Sequence, residues 1–546
     1  MTLGAPESRS GNSTLAILIV CLAAVLPYLL TVRDYFVADD FGVVQILSQK
    51  PAWYFPRWFV GSWMETVFGV PPQEIRPFPA VSYQLTALVG AAAPTVHHVI
   101  NMLIHAVNGV LVLTIARRVA GLSLPGATLA ALLFLILPVQ VESVAWITGR
   151  VDSLPAFFYL ASFLAYATWR STGSNDRVRY LISVGLFFGA LFSKENTITM
   201  VGTLLLYDVL AAESGPRVSW KSPRSYLPYV PFALLTGMFL LLRYVLFGDL
   251  VRESQLPSGA FTAFANRIGR HIERIVLGGV TMGPPLAWTS LLAAIGLVLG
   301  LWWIQAKGDK RRTIGSALYF GPVWMLMALV PTIAAGYESP RHLYLAAVAW
   351  AMMLGFAFQT AWKPARSPRL RIAATLVAAA VTAAYFVPLG AALGNLHRAA
   401  SISKVAATDL HREAASAAPG TLLIVGAPLR SWEWAMPLVA RPPFAAEDLT
   451  RRVYIVSPWL LHCCRTEWLG DTHQTLRAWS DQPAPGPIVV LHWDSVTGRM
   501  SRLTDAEYPD LRTAIPVLLE EDTVDYLDRL IVRLTNLAHA PVARGL

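Results

Sequence analysis

The stretch Phe36-Val37-Ala38-Asp39-Asp40-Phe41 lies just past a strongly apolar run, Leu15 to Val32. That run is long enough to cross a bilayer core as a helix, for which about 17–25 residues are needed. The two acids therefore sit at a membrane boundary, on the far side if the amino terminus stays inside. Adjacent carboxylates are costly there without solvent, a cation or a reaction to serve. A solvated loop accounts for one such pair taken alone. Further charged residues that fall on the same side argue for a site.

Composition sets the class. Of 546 residues, 55% are hydrophobic and 14% charged, with a mean hydropathy of +0.49. Soluble domains carry roughly 25% charged residues, so the chain reads as a polytopic α-helical membrane protein. A soluble enzyme is excluded. The net charge of +10 implies no nucleic-acid partner, because the cations gather in short loops between apolar spans, as membrane orientation requires. Three cysteines cannot make a disulfide framework. Cys21 lies inside the first span, and the adjacent Cys463 and Cys464 read as free thiols, with a strained vicinal bridge as the alternative. Met1 to Thr14 has no basic region and no evident cleavage site, so Leu15–Val32 is expected to be a retained span.

Eleven spans are expected, at about 15–32, 96–116, 124–138, 152–169, 178–193, 197–212, 227–247, 286–304, 315–334, 342–362 and 372–393. With the amino terminus in the cytoplasm, the inner loops hold Arg117-Arg118, Arg170 with Arg177 and Arg179, and Arg217 with Lys221 and Arg224. They also hold Lys307 with Lys310-Arg311-Arg312, and Lys363 with Arg366, Arg369 and Arg371. The short outer loops hold single cations, Arg150, Lys194 and Arg341. That asymmetry orients the chain and singles out the three exceptions. Two long loops, 33–95 and 248–285, fall outside; the first carries Trp53, Tyr54, Phe55, Trp58, Phe59 and Trp63, an aromatic set suited to the interface.

Composition shifts after residue 394. Residues 395–546 are more polar and hold short apolar runs, Leu422–Val425, Val453–Val456 and Ile488–Leu491, which read as buried strands. Helix-like stretches such as Thr523–Leu537 separate or follow them. The expected organisation is a membrane domain, 1–394, with a small α/β domain, 395–546, outside the membrane.

Charged residues converge on the outer face. Asp39 and Asp40 follow span one, Glu142, Arg150 and Asp152 follow span three, Lys194 and Glu195 lie between spans five and six, and Glu338 and Arg341 precede span ten. Carboxylates can act as general base toward a hydroxyl. Lysine and arginine can bind a phosphate and stabilise its charge as it departs. A membrane-face site with both halves suits transfer from a lipid phosphate to a hydroxyl. Helix-end ion pairs are the structural alternative for each residue taken singly.

Six segments carry a resemblance: FVADDF (36–41), RPFPAVSYQ (76–84), HVINMLIHAVN (98–108), PVQVESVAWITGRVD (138–152), FSKEN (192–196) and ESPRHLYL (338–345). In this order they resemble the membrane part of the tetratricopeptide-repeat O-mannosyltransferases and their bacterial relatives. More broadly they resemble the GT-C glycosyltransferase superfamily. The resemblance implies a GT-C fold and an inverting enzyme in a membrane, by its bacterial relatives an inner membrane. It implies a polyprenyl-phosphate-linked sugar as donor and a protein or glycan hydroxyl as acceptor. It also implies a catalytic base in the first outer loop, here Asp39 or Asp40, with Asp39 favoured. Lys194 and Arg341 resemble residues that meet the carrier phosphate; Glu142 and Asp152 resemble second-loop acids. Arg76, Arg150, Glu195 and Glu338 complete the candidate substrate-binding set. The chain departs from the repeat-bearing enzymes after span eleven, where residues 395–546 show no 34-residue helical repeat.

Other motifs are weaker. His98, Asn101, His105 and Asn108 share a helix face and fit interhelical hydrogen bonding better than a metal pair. No cofactor is expected, although an aspartate pair can also take Mg²⁺ or Mn²⁺. Trp432-Glu433-Trp434 could stack on sugar or simply pack, and His462 has no visible partner in sequence. The rival function is a transporter or flippase of a lipid-linked saccharide, which internal pseudo-symmetry would favour; no matching halves are evident. Orientation is directly testable. A reporter fused after residue 395 should report the outer compartment, and one fused near Arg311 the cytoplasm. An inside signal at residue 395 would separate the acids and cations onto different faces.

Overall fold

The computed structural model describes residues 7–64, 73–90, 92–172, 176–211, 222–250, 261–279, 315–362, 367–427, 435–457, 467–503, 508–520, 529–530 and 532–538. The expected span 286–304, the inner-loop cations Arg217, Lys221, Lys307, Lys310–Arg312, Lys363 and Arg366, and Trp432–Trp434, His462, Cys463 and Cys464 lie outside the described residues. The chain divides into two units. One comprises residues 1–32, 75–79 and 98–394, the other 33–74, 80–97 and 395–546.

Helices run in the order α1 (Glu7–Val25), α2 (Asp39–Ser48), α3 (Pro77–Gly90), α4 (Pro94–Arg118), α5 (Leu124–Ile136), α6 (Val141–Val144), α7 (Arg150–Ser171), α8 (Arg177–Leu191), α9 (Met200–Leu210) and α10 (Val230–Phe247). There follow α11 (Phe261–Leu277), α12 (Trp324–Ala334), α13 (Ala347–Trp362), α14 (Pro368–Ser416), α15 (Met436–Val439), α16 (Glu467–Ser480) and α17 (Leu511–Glu520). Five helical segments among the described residues are long and apolar enough to cross a membrane: Asn12–Thr31, Pro94–Arg118, Pro223–Phe247, Gly315–Ala334 and Pro368–Ser416. A sixth arises if Leu124–Ile136 and Pro138–Val144 count as one bent span. These mark an integral membrane protein. Other expected spans coincide with helices that are shorter or interrupted, such as α8, α9 and α13.

The bend after α5 has a local cause. Pro138 disfavours helical backbone in the residue before it, and Leu137 is extended, with φ −58° and ψ 129°. The chain turns by 54° and continues through short helical pieces into α7. Gly149 lets this segment fold back on itself: a Cβ there would lie 1.9 Å from the Glu142 carbonyl oxygen. Only glycine permits so close an approach.

In the other unit, the three apolar runs of the C-terminal part are strands, β1 (Leu422–Gly426), β2 (Tyr454–Val456) and β3 (Ile488–Asp494), joined by β4 (Arg499–Arg502). The sheet order is β2-β1-β3-β4, with β1 parallel to β2 and β3, and β4 antiparallel to β3. Leu422 to Val425 are all buried, as expected of a parallel strand covered on both faces. Leu476 and Trp479 of α16 and Leu511 and Ile515 of α17 pack with Leu422, Ile424 and Val490 in one core.

The end of α14 is tied to this sheet by two carboxylates, Glu413 to Arg502 and, more deeply buried, Asp409. Asp409 is fully buried and accepts from Arg499 Nε at 2.9 Å and from the Met500 backbone N–H at 3.0 Å. Asp409→Ala leaves a buried N–H without its partner, which costs about 1–3 kcal/mol. Thermal unfolding of the full chain in detergent should show a lower midpoint for this unit, and an unchanged midpoint would refute the tie.

Candidate functional site

Eight of the ten candidate residues belong to the first unit: Arg76 just before α3, and seven on the short pieces between α5 and α7, the first turn of α7, the α8–α9 connection and the loop before α13. Asp152 lies in the first turn of α7 and Lys194 in the loop after α8; both side chains are 1% exposed. The Lys194 ammonium donates to Asp152 Oδ1 and to His342 Nδ1, the latter at 2.9 Å. Arg341 Nε lies 3.8 Å from Asp152 Oδ2. Its guanidinium also sits over the Trp146 ring, 4.5 Å from the centroid, a cation–π contact.

Burial pulls the Lys194 ammonium below its ordinary value, opposed by the Asp152 carboxylate and, less, by Glu195. Because the Lys194 ammonium can only donate, His342 Nδ1 accepts from it and the imidazole is neutral. Its 3.5 Å approach to Asp152 is accordingly not an ion pair. The ring stacks on Tyr337, with centroids 4.2 Å apart.

Next to this pair lies a second one. Arg76 Nη2 reaches Glu195 Oε1 at 3.2 Å, and the Tyr337 hydroxyl donates to the same oxygen at 3.3 Å. Burial pushes the Glu195 carboxyl up, but the Arg76 guanidinium and the Lys194 ammonium outweigh it and hold it below its ordinary value. Glu142 accepts from the Ser339 hydroxyl and from the Arg341 backbone N–H at 3.4 Å, and Ser143 donates to the Arg341 carbonyl at 3.3 Å. The motif segment 138–152 thus grips the loop that carries Arg341. Around Arg341 and Lys194, one carboxylate, Asp152, faces two cations. Arg341 Nε and Nη1 are buried without a hydrogen-bond acceptor, an arrangement suited to receiving an oxyanion.

Two candidates are placed differently. Arg150 is fully buried and donates from Nε to Asn101 Oδ1 at 2.8 Å. Glu338 is drawn toward α11, with Arg270 and Arg274 each at 3.3 Å. The polar face of α4 makes interhelical bonds. Asn101 donates to the Trp146 and Ile147 carbonyls, both at 3.1 Å. His105 bonds the Leu135 carbonyl and the Tyr344 hydroxyl, and Asn108 the Ser153 carbonyl. This stripe fixes the motif segment and the residues just past His342. Among the described residues, no group of three or more His, Cys, Asp or Glu is arranged to hold a metal ion.

The two acids belong to the second unit. Asp39 opens α2 and is half-buried; Asp40 is buried. The chain turns sharply before them. Asp40 N–H donates to the Val37 carbonyl at 3.1 Å, and Asp40 Oδ2 accepts from Val37 N–H at 2.9 Å. Ala38, between them, has φ +50° and ψ −114°. Those are the angles of the first central residue of a type II′ turn, a place glycine favours. An alanine there stores strain on the order of 1–3 kcal/mol, a cost typical of functional sites. Asp40 thus ties down its own turn, while Asp39 is the more accessible acid.

Residues that sequence reasoning missed are His342, Tyr337, Ser339 and Trp146. Each lies inside or next to a quoted segment, but none carries a charge that would draw notice. The buried pair yields a test. Asp152→Ala or Lys194→Met strands an unpaired buried charge or its partner, which costs about 3–5 kcal/mol. The double variant should lose less than the sum of the two in thermal unfolding. Strict additivity would mean that the two groups do not interact.

No family model matches the chain. Human protein O-mannosyl-transferase TMTC3 is 30% identical over 211 residues, covering 35% of this chain and 22% of the relative. Drosophila melanogaster Tmtc1 is 32% identical over 205 residues, again 35% and 22%. The chain spans about a fifth of the length of the curated relatives it matches. Among solved structures, ArnT from Cupriavidus metallidurans in the apo state has a TM-score of 0.50 at 12% identity, covering 89% of this chain and 93% of ArnT. The archaeal oligosaccharyltransferase AglB from Archaeoglobus fulgidus, in complex with an inhibitory peptide and a dolichol-phosphate, gives 0.50 at 12%, covering 91% and 75%. The chain is thus similar in sequence to TMTC protein O-mannosyltransferases over about a third of its length, and shares the fold of ArnT and AglB over most of it.

Proposed function

We propose that this protein is an inverting membrane glycosyltransferase that moves a sugar from a polyprenyl-phosphate carrier to a hydroxyl of a protein or glycan acceptor on the extracytoplasmic face. The observation that carries this is the Arg341–Lys194 pair. Two cations stand beside a single buried carboxylate, and the arginine has N–H groups without acceptors. Such a surplus of donors suits a phosphate monoanion whose charge grows as its bond to carbon breaks. The resemblance to O-mannosyltransferases and the fold shared with ArnT and AglB support the same class of donor.

In this reading Asp39 takes a proton from the acceptor hydroxyl, with Asp40 holding the turn. The freed oxygen forms a bond to the anomeric carbon on the face opposite the phosphate. The carbon–oxygen bond to phosphate breaks, and polyprenyl phosphate leaves with the electron pair, stabilised by Arg341 and Lys194. Attack opposite the leaving group inverts the anomeric centre. Eleven spans, a cytoplasmic amino terminus, a membrane domain over 1–394 and an outer domain over 395–546 belong to the same proposal. Arg76, Glu142, Arg150, Asp152, Glu195 and Glu338 are assigned to shaping the donor site, directly or through neighbours. The rival is a flippase that would bind the same phosphate without breaking a bond.

A reconstituted assay with labelled polyprenyl-phosphate sugar separates them. The enzyme releases free polyprenyl phosphate and labels the acceptor; a flippase moves intact donor across the bilayer. Asp39→Asn should lower turnover by about 10²–10⁴-fold, the usual cost of a lost general base. Arg341→Ala should weaken donor binding and turnover together, and Arg341→Lys should rescue only in part, because lysine lacks the forked donor geometry. Normal turnover in both Asp39→Asn and Asp40→Asn would remove the acids from the mechanism.

A further inference from the structure

The turn that presents Asp39 is held from outside by residues far along the chain, all within the second unit. Phe36 and Phe41 flank the strained segment Val37–Asp40. The ring of Phe444 lies edge-on against both, with centroids 5.0 Å from Phe36 and 4.9 Å from Phe41. Phe36 and Phe41 also approach each other at 6.2 Å, so the three rings close a bracket over the turn. Ser403 of α14 donates to the Phe36 carbonyl at 2.7 Å, and His397 of α14 meets Asp34 at 2.6 Å.

Phe444 is itself firmly seated. The Phe444 and Ala445 N–H groups donate to the Arg441 carbonyl at 3.0 and 3.1 Å, and Leu449 N–H donates to the Ala440 carbonyl at 3.0 Å. The Gln49 amide at the end of α2 donates to the Pro442 carbonyl at 3.3 Å. Strained backbone persists only where the surroundings over-determine it. The one non-glycine residue with positive φ among the described residues is Ala38, and it sits under this bracket.

We infer that Phe444 is a positioning residue for the Asp39–Asp40 turn, clamping Phe36 and Phe41 so that Ala38 keeps its strained geometry and Asp39 its aim. Residues well past the last expected span thereby set the activity of an acid in the first outer loop. The consequence for catalysis rests on the glycosyltransferase reading above; the clamp on the turn does not.

The test uses the full-length protein in detergent or liposomes and has two readouts. The first is amide hydrogen exchange over residues 34–48. Phe444→Ala should speed exchange there by about tenfold, since a local opening would no longer be opposed by packing, while Phe444→Tyr should leave it near the wild-type rate. Exchange in that segment unchanged by Phe444→Ala overturns the clamp. The second is transfer kinetics. Phe444→Ala should lower kcat by about tenfold to a hundredfold, the cost of a small misplacement of a reacting group, with KM for the donor unchanged. Ala38→Gly, which removes the strain, should restore part of the kcat lost in Phe444→Ala. A double variant no better than Phe444→Ala overturns the mechanism by strain. Should exchange respond to Phe444 while the wild-type protein transfers no sugar, the clamp stands and the glycosyltransferase reading falls. Should wild-type transfer be robust and Phe444→Ala match it in both readouts, the clamp alone falls.

Discussion

A lysine ammonium and an aspartate carboxylate, each nearly inaccessible to water, meet in the helical unit, and the rest of the candidate site is arranged around them. Neither charge would persist alone in such surroundings. Lys194 ties the loop after α8 to the first turn of α7, and His342 brings the loop before α13 to the same point. Arg341 follows because it is the neighbour of His342. The pair thus gathers three connections that are remote in sequence, and the neutral imidazole supplies an acceptor without adding a third positive charge.

Polar groups surround this centre in graded fashion. Closest in, Arg341 rests on Trp146 and keeps N–H groups without acceptors. Farther out, Arg76 and Glu195 compensate one another, and Tyr337 bridges the two pairs by bonding Glu195 and stacking on His342. Beyond these, the α4 stripe of Asn101, His105 and Asn108 bonds backbone carbonyls of α5, of the broken segment after Pro138 and of the start of α7. In an apolar bundle such carbonyls need partners from neighbouring helices. The same residues that permit irregular backbone near the site therefore also hold it in place.

The second unit solves a different problem, presenting a carboxylate on a tight turn. Asp40 spends its oxygen on the turn itself and Asp39 remains the accessible acid. Packing from Phe444 and a hydrogen bond from Ser403 reach the turn from residues more than 350 positions later in the chain.

Much was legible from sequence because membrane insertion writes itself into composition. Apolar runs, loop cations and the charged exceptions at Asp39, Lys194 and Arg341 are local signals, each legible within about 20 residues. The strands at 422–425, 453–456 and 488–491 were legible for the same reason, since a buried strand is a short apolar run between turns. What stayed hidden were pairings across the chain. That Asp152 rather than Glu195 accepts from Lys194, that Glu338 turns to Arg270 and Arg274, and that His342 joins the centre depend on how loops meet in space. Arg150 and Lys194 look alike in sequence, yet one bonds an asparagine and the other anchors the site. Sequence determined which residues carry charge beside the apolar segments, because burying charge is too costly to occur by accident. Tertiary structure decided which charges face one another and which N–H groups are left to meet a ligand, because Coulomb attraction and hydrogen bonding act over a few ångströms and pay no regard to distance along the chain.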